Sequence, residues 1–155
     1  DRYNGVPRAP IQRNPFAEVE CSNHYARAMS AWGMLLAAQG YRYSGPDKAL
    51  GFNPVVSPED HASFFTGAEG WGLFTQKRGG KTQENTLEVE YGRLDIKSLT
   101  LSLPREATAR DIRVSVSGSK ESYGTTTSGS EVTVEFARPV RIAAGRRLAL
   151  RFTWR

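Results

Sequence analysis

The chain has 155 residues, 39% of them hydrophobic and 24% charged, an ordinary core-forming composition for one domain or two small ones. No apolar run is long enough to span a bilayer, and the single cysteine, Cys21, excludes a framework of internal disulfides. The net charge of +5 is uneven: residues 1–75 carry six Lys/Arg against seven Asp/Glu (−1), and residues 76–155 carry fifteen against nine (+6).

The sequence opens on Asp1 with no visible signal peptide, the expectation for an excerpt of a longer protein, and its composition favours a soluble, cytoplasmic setting. Pro7, Pro10 and Pro15 make residues 1–20 an irregular approach. A helix is predicted from Ser22 to Gln39. Ser22 or Asn23 can accept a bond from a free backbone N–H at its start, and Gly40 is a natural stop. Tyr25, Met29, Trp32 and Leu36 form an apolar stripe on this helix, and Ala26, Ser30, Gly33 and Ala37 a small-residue face.

From Tyr41 the period changes to two. Residues 41–54, "YRYSGPDKALGFNP", predict a hairpin with a Gly-Pro turn. "PEDHASFFTGAEGWGLFTQ" predicts two aromatic-rich strands around Gly67 to Gly70, with Phe64, Phe65, Trp71 and Phe74 forming either a core cluster or the wall of a cleft. The polar stretch from Gln76 to Asn85 divides the chain into residues 1–76 and residues 77–155.

The second region is all strand by pattern. Leu87, Val89 and Tyr91 alternate; Leu99, Leu101 and Leu103 alternate after a phase slip near Ile96 that predicts a bulge. Ile112, Val114 and Val116 follow, then Val132, Val134 and Phe136, and finally Leu148, Leu150, Phe152 and Trp154. These runs predict an antiparallel β-sandwich or sheet with one face buried, and Ser122 to Ser130 a flexible hairpin tip. The arginines are spread along alternating strands without an RNA-binding signature, so a solvated basic face is expected rather than a nucleic-acid partner. Tyr91, Tyr123 and Trp154 are the aromatic side chains that this region offers as a binding platform, and two of them fall in core phase.

The chemistry-bearing residues cluster at the predicted helix start, in "NPFAEVECSNHYARAM" (Asn14 to Met29). Glu18, Glu20, Cys21 and His24 mix hard oxygen donors with a soft thiolate and lack a second Cys or His at zinc spacing, so no metal or other cofactor is expected. Cys21 and His24 lack an evident third group to orient a nucleophilic pair. Glu18 and Arg27 set a carboxylate acceptor against a guanidinium donor, the combination that sugar hydroxyls need. A structural salt bridge between the same two residues is the alternative.

The run "RNPFAEVECSNHYARAMSAWGMLLAAQGYRYSGP", followed by "EDHASFFTGAEGWGLFTQ", resembles the C-terminal end of glycoside hydrolase family 116, which includes the bile-acid β-glucosidases (non-lysosomal glucosylceramidases) and bacterial β-glucosidases. The resemblance covers residues 13 to 76, about half the chain. It implies an α+β chain: one late helix and hairpins from an (α/α)6 catalytic barrel, residues 1–76, followed by the all-β region, residues 77–155. It also implies that Glu18 and Arg27 hold sugar hydroxyls in the −1 subsite, with Glu20, Asn23 and His24 as supporting residues. The family is retaining, with its two catalytic carboxylates about 5 Å apart. They lie upstream of this motif, so the implied role is sugar binding without the chemistry. The implied partners are a β-glycoside substrate and the upstream catalytic domain, and the fragment alone is expected to be inactive. A carbohydrate-binding or structural β-sandwich module with no activity of its own is the alternative.

Overall fold

In the computed structural model the described residues are 25–155, with side chains described from Ala31 onward. The chain divides after Ala37, and the residues on either side are described separately. Helix α1 (Tyr25–Gln39) is made largely of Ala, Met, Leu and other residues that tolerate the helix well, and it ends at Gly40. Gly40 takes φ 55°, a left-handed conformation open to glycine, so the predicted stop is where the backbone turns. The last two helical residues belong with the β unit. The carbonyls of Ala38 and Gln39 accept from the backbone N–H groups of Val55 (2.9 Å) and Asn53 (3.1 Å), which satisfies acceptors that a helix end leaves free.

Nine strands follow: β1 (Arg42–Ser44), β2 (Ala49–Phe52), β3 (Asp60–Thr66), β4 (Gly70–Gly79), β5 (Thr82–Ser102), β6 (Ala109–Val116), β7 (Tyr123–Ser128), β8 (Glu131–Ala143) and β9 (Arg146–Trp154). β5 is the spine. Its first half pairs with β4 on one edge and β9 on the other, and its second half pairs with β8 and β2. β3 and β6 extend the first half as β3-β4-β5-β9-β6; β1 and β7 extend the second as β1-β2-β5-β8-β7. All nine strands therefore belong to one curled sheet whose halves share a strand. The sheet is mixed, because β2 runs parallel to β5 while the other pairs are antiparallel.

The core fills the space between the halves. Phe52, Ile96, Leu101, Val132, Val134 and Ile142 come from one half, and Phe65, Phe74, Leu87, Val89, Leu148 and Phe152 from the other. Alternation places most of them there: on β4, β8 and β9 the residues on either side of each buried one are more exposed, as the period of a strand requires. One interior corner is polar. Gln76, Gln83, Asn85 and Ser102 are buried, and their amides bond mainly to one another: Gln83 Nε2 lies 3.0 Å from Gln76 Oε1, 2.9 Å from Asn85 Oδ1 and 3.2 Å from the Ser102 carbonyl. Arg78 closes the cluster, donating through Nε to Gln83 Oε1 (2.7 Å) and through Nη2 to the Ser102 carbonyl (3.0 Å). Buried polar groups without such partners would each destabilise the fold.

This architecture corrects the expected fold class. The described residues are mostly strand with one 15-residue helix, and residues 42–79 supply β1 to β4 of the sheet rather than hairpins of an (α/α)6 barrel. The reason is local. Phe65 and Phe74 point inward while Phe64 and Leu73 point outward, and the β4 backbone bonds straight into β5. The wholly antiparallel expectation is also corrected, by the parallel β2–β5 ladder. Residues 123–128, expected to lie in a flexible tip, form β7 on β8, and the turn is confined to Gly129 and Ser130.

The phase slip near Ile96 is a register shift between Ile96 and Ser98. The ammonium of Lys97 donates into the irregularity, to the carbonyls of Phe136 (2.5 Å) and Ala137 (3.0 Å). Among the described residues, no helix is long and apolar enough to cross a membrane.

Candidate functional site

Glu18, Glu20, Asn23 and His24 lie outside the described residues, as does Cys21. Arg27 falls within α1 by its backbone, and its side chain lies outside the described set. Among the described residues, no group of three or more His, Cys, Asp or Glu side chains is placed to hold a metal ion.

The described chain offers a different surface, the outer face of the β3-β4-β5-β9-β6 half. The aromatic group of the sequence divides cleanly. Phe65 and Phe74 are in the core, while Phe64 (44% exposed) and Trp71 (48%) stand on the outer face. Phe64 sits opposite Leu73, and Trp71 opposite Tyr91, which is 67% exposed. Side chains directly opposite across a ladder lie about 5 Å apart at Cβ, so Phe64, Leu73, Trp71 and Tyr91 form one patch over three strands.

A bulge puts Tyr91 there. Leu87 and Val89 point inward, and strict alternation would send Tyr91 inward too. Instead Trp71 pairs with Tyr91 while Gly72 pairs with Val89, which leaves Glu90 as an extra residue and reverses the phase. Gly92 completes the bulge at φ 72°. A Cβ there would lie 2.1 Å from the Glu69 carbonyl oxygen, so no other residue fits without moving the turn.

Polar groups border the rings. Arg93 follows Gly92 and grips the Glu69 carboxylate with two bonds, Nε to Oε2 at 3.0 Å and Nη2 to Oε1 at 2.5 Å. Both side chains are about half exposed, at 46% and 51%, so the pair can still donate to and accept from a ligand. Rings with exposed apolar faces, edged by a donor–acceptor pair, suit a molecule that is apolar on one face and rich in hydroxyls at its rim. The other two aromatic candidates serve the fold. Tyr123 is half-buried and donates its hydroxyl to the Ile112 carbonyl (2.9 Å), and Trp154 packs against the core beside Phe152.

Further along the same face, β5, β6 and β9 line a groove of about 540 Å³ with Arg113, Lys120, Arg147 and Arg151 on its sides. Glu84 lies among them, 3.5 Å from Arg151 Nε. No protein-family model matches the chain, and no curated protein matches it significantly.

Proposed function

We propose that this chain is the part of a retaining β-glycosidase that holds saccharide rather than cleaves it. The observation that carries the reading is the row of exposed rings, Phe64, Trp71 and Tyr91, edged by the Glu69–Arg93 pair. The axial C–H faces of a β-linked glucose unit stack on such rings, and its equatorial hydroxyls need a donor and an acceptor at the rim. The family-116-like motif supports the same reading from the other end of the chain, with Glu18 and Arg27 as hydroxyl-binding residues and Glu20, Asn23 and His24 supporting them.

Isothermal calorimetry of the 155-residue chain with a β-linked gluco-oligosaccharide tests the reading. Trp71→Ala and Tyr91→Ala should each weaken binding about tenfold or more, equivalent to about 1.4 kcal/mol. Unchanged affinity in both variants would remove the ring row from the site.

A further inference from the structure

The groove between β5, β6 and β9 is separate from the aromatic patch, and its charge needs an explanation. Its cationic side chains arise from strand register. Arg113 on β6 stands opposite Arg151 on β9, and Arg147 stands two residues before Ala149 on the same outward face. The tight turn after β6, closed by mutual backbone bonds between Val116 and Ser119 (2.9 Å each), brings Lys120 to the rim.

Like charges placed opposite one another on a sheet are destabilising. Among the described residues, neither Arg113, Lys120 nor Arg147 has a carboxylate within 4.0 Å, although Glu88 faces Arg147 in register. Thr86, Ser115 and Ala149 make a low floor between these cations. A concave site of this size, ringed by guanidinium forks whose mutual repulsion a bound anion relieves, matches a ligand carrying carboxylates, sulfates or phosphates.

The floor decides between anion classes. No aromatic ring lines the groove, so it has nothing on which nucleic-acid bases would stack. Glu84 adds a carboxylate that accepts from a hydroxyl, and Thr86 and Ser115 add hydroxyls of their own, groups that suit a ligand carrying hydroxyls beside its charges. We infer that this groove binds an acidic oligosaccharide, its carboxylates on the guanidinium groups of Arg113, Arg147 and Arg151 and its hydroxyls on Glu84, Thr86 and Ser115.

The test is calorimetric titration of the 155-residue chain, at about 150 mM NaCl so that long-range charge effects are screened, with oligogalacturonate. A single-stranded oligonucleotide of equal charge, the neutral β-linked gluco-oligosaccharide and inorganic phosphate are titrated in parallel. The expected result is oligogalacturonate binding about tenfold or more tighter than the oligonucleotide, lost by a similar factor in the Arg147→Gln/Arg151→Gln variant and weakened in Lys120→Gln. Circular dichroism that matches the parent chain would show each variant folded. Failure of oligogalacturonate to bind, an oligonucleotide or phosphate that binds as tightly, or full affinity in both variants would overturn the assignment.

Discussion

The ring of Phe52 on β2 lies flat on that of Phe74 on β4, with centroids 3.8 Å and planes 8° apart. Both are fully buried, and each belongs to a different half of the curled sheet, so the stack fastens one half to the other. Phe65 meets the same ring edge-on at 6.2 Å. Phe74→Ala opens a cavity at this junction and should cost about 3–5 kcal/mol. Urea unfolding followed by circular dichroism measures it. A loss well under 1 kcal/mol would mean that the two halves are held together elsewhere.

The buried amide corner makes a second prediction. Gln83 serves Gln76, Asn85 and the Ser102 carbonyl as donor and Arg78 as acceptor. Gln83→Ala removes all of these at once. Gln76 Oε1 keeps Asn85 Nδ2 and the Ser102 carbonyl keeps Arg78 Nη2, but Asn85 Oδ1 is left without a donor and Arg78 Nε without an acceptor, so it should destabilise by about 2–3 kcal/mol. The same unfolding assay reads it. Near-neutrality would show that the remaining amides, or water, take over the vacated bonds.

Asp95 gives the chain an acid-side stability term. Arg141 holds its carboxylate by two bonds, Nε to Oδ1 at 2.7 Å and Nη2 to Oδ2 at 2.9 Å, and this hydrogen bonding lowers the Asp95 pKa against the smaller opposing effect of burial. The folded value lies below the unfolded one, so the contribution is present above the unfolded value of about 3.9 and is lost as pH falls through the folded value. Asp95→Asn should therefore unfold at lower denaturant than the parent chain at neutral pH, and the two curves should converge as the pH drops below the carboxylate range. Arg141 is 60% exposed, so the gap at neutral pH should be small and should narrow with salt. A gap that persists unchanged at acid pH would assign it to packing rather than charge.

Arg27 links the chain to catalysis if the glycosidase reading holds. In the protein that carries this chain, Arg27→Ala should lower kcat/KM for hydrolysis of an aryl β-glucoside by about tenfold or more, through lost sugar contacts. Unchanged kcat/KM on that smallest substrate would remove Arg27 from the site.

The sequence disclosed elements better than their pairing. Gly40 and the turn at Gly45 and Pro46 were legible because glycine and proline act on their own few dihedrals. The alternations of Leu87 and Val89, of Val132 to Phe136 and of Leu148 to Phe152 were legible because burial on a strand has period two.

What escaped was non-local. The run ending at Tyr91 and the run starting at Leu99 are one strand of 21 residues, whose halves serve opposite walls of the core. The parallel β2–β5 pairing has no local signature, and the family resemblance pointed residues 42–76 towards a helical barrel that their ladder contradicts. Tyr91 could be named as a platform residue, yet its exposure depends on an extra residue opposite Trp71 and Gly72, which only register reveals. Phe64 and Trp71 could have been separated from Phe65 and Phe74 by parity alone, since each pair of neighbours along a strand must face opposite ways.

The most direct measurement of saccharide holding is nuclear magnetic resonance of the labelled 155-residue chain titrated with the β-linked gluco-oligosaccharide. Amide shifts should concentrate at Phe64, Trp71, Leu73 and Tyr91 and at the Glu69–Arg93 rim, and should saturate with one affinity. Shifts that are absent from those residues at saturating ligand would contradict a saccharide-binding role for this face.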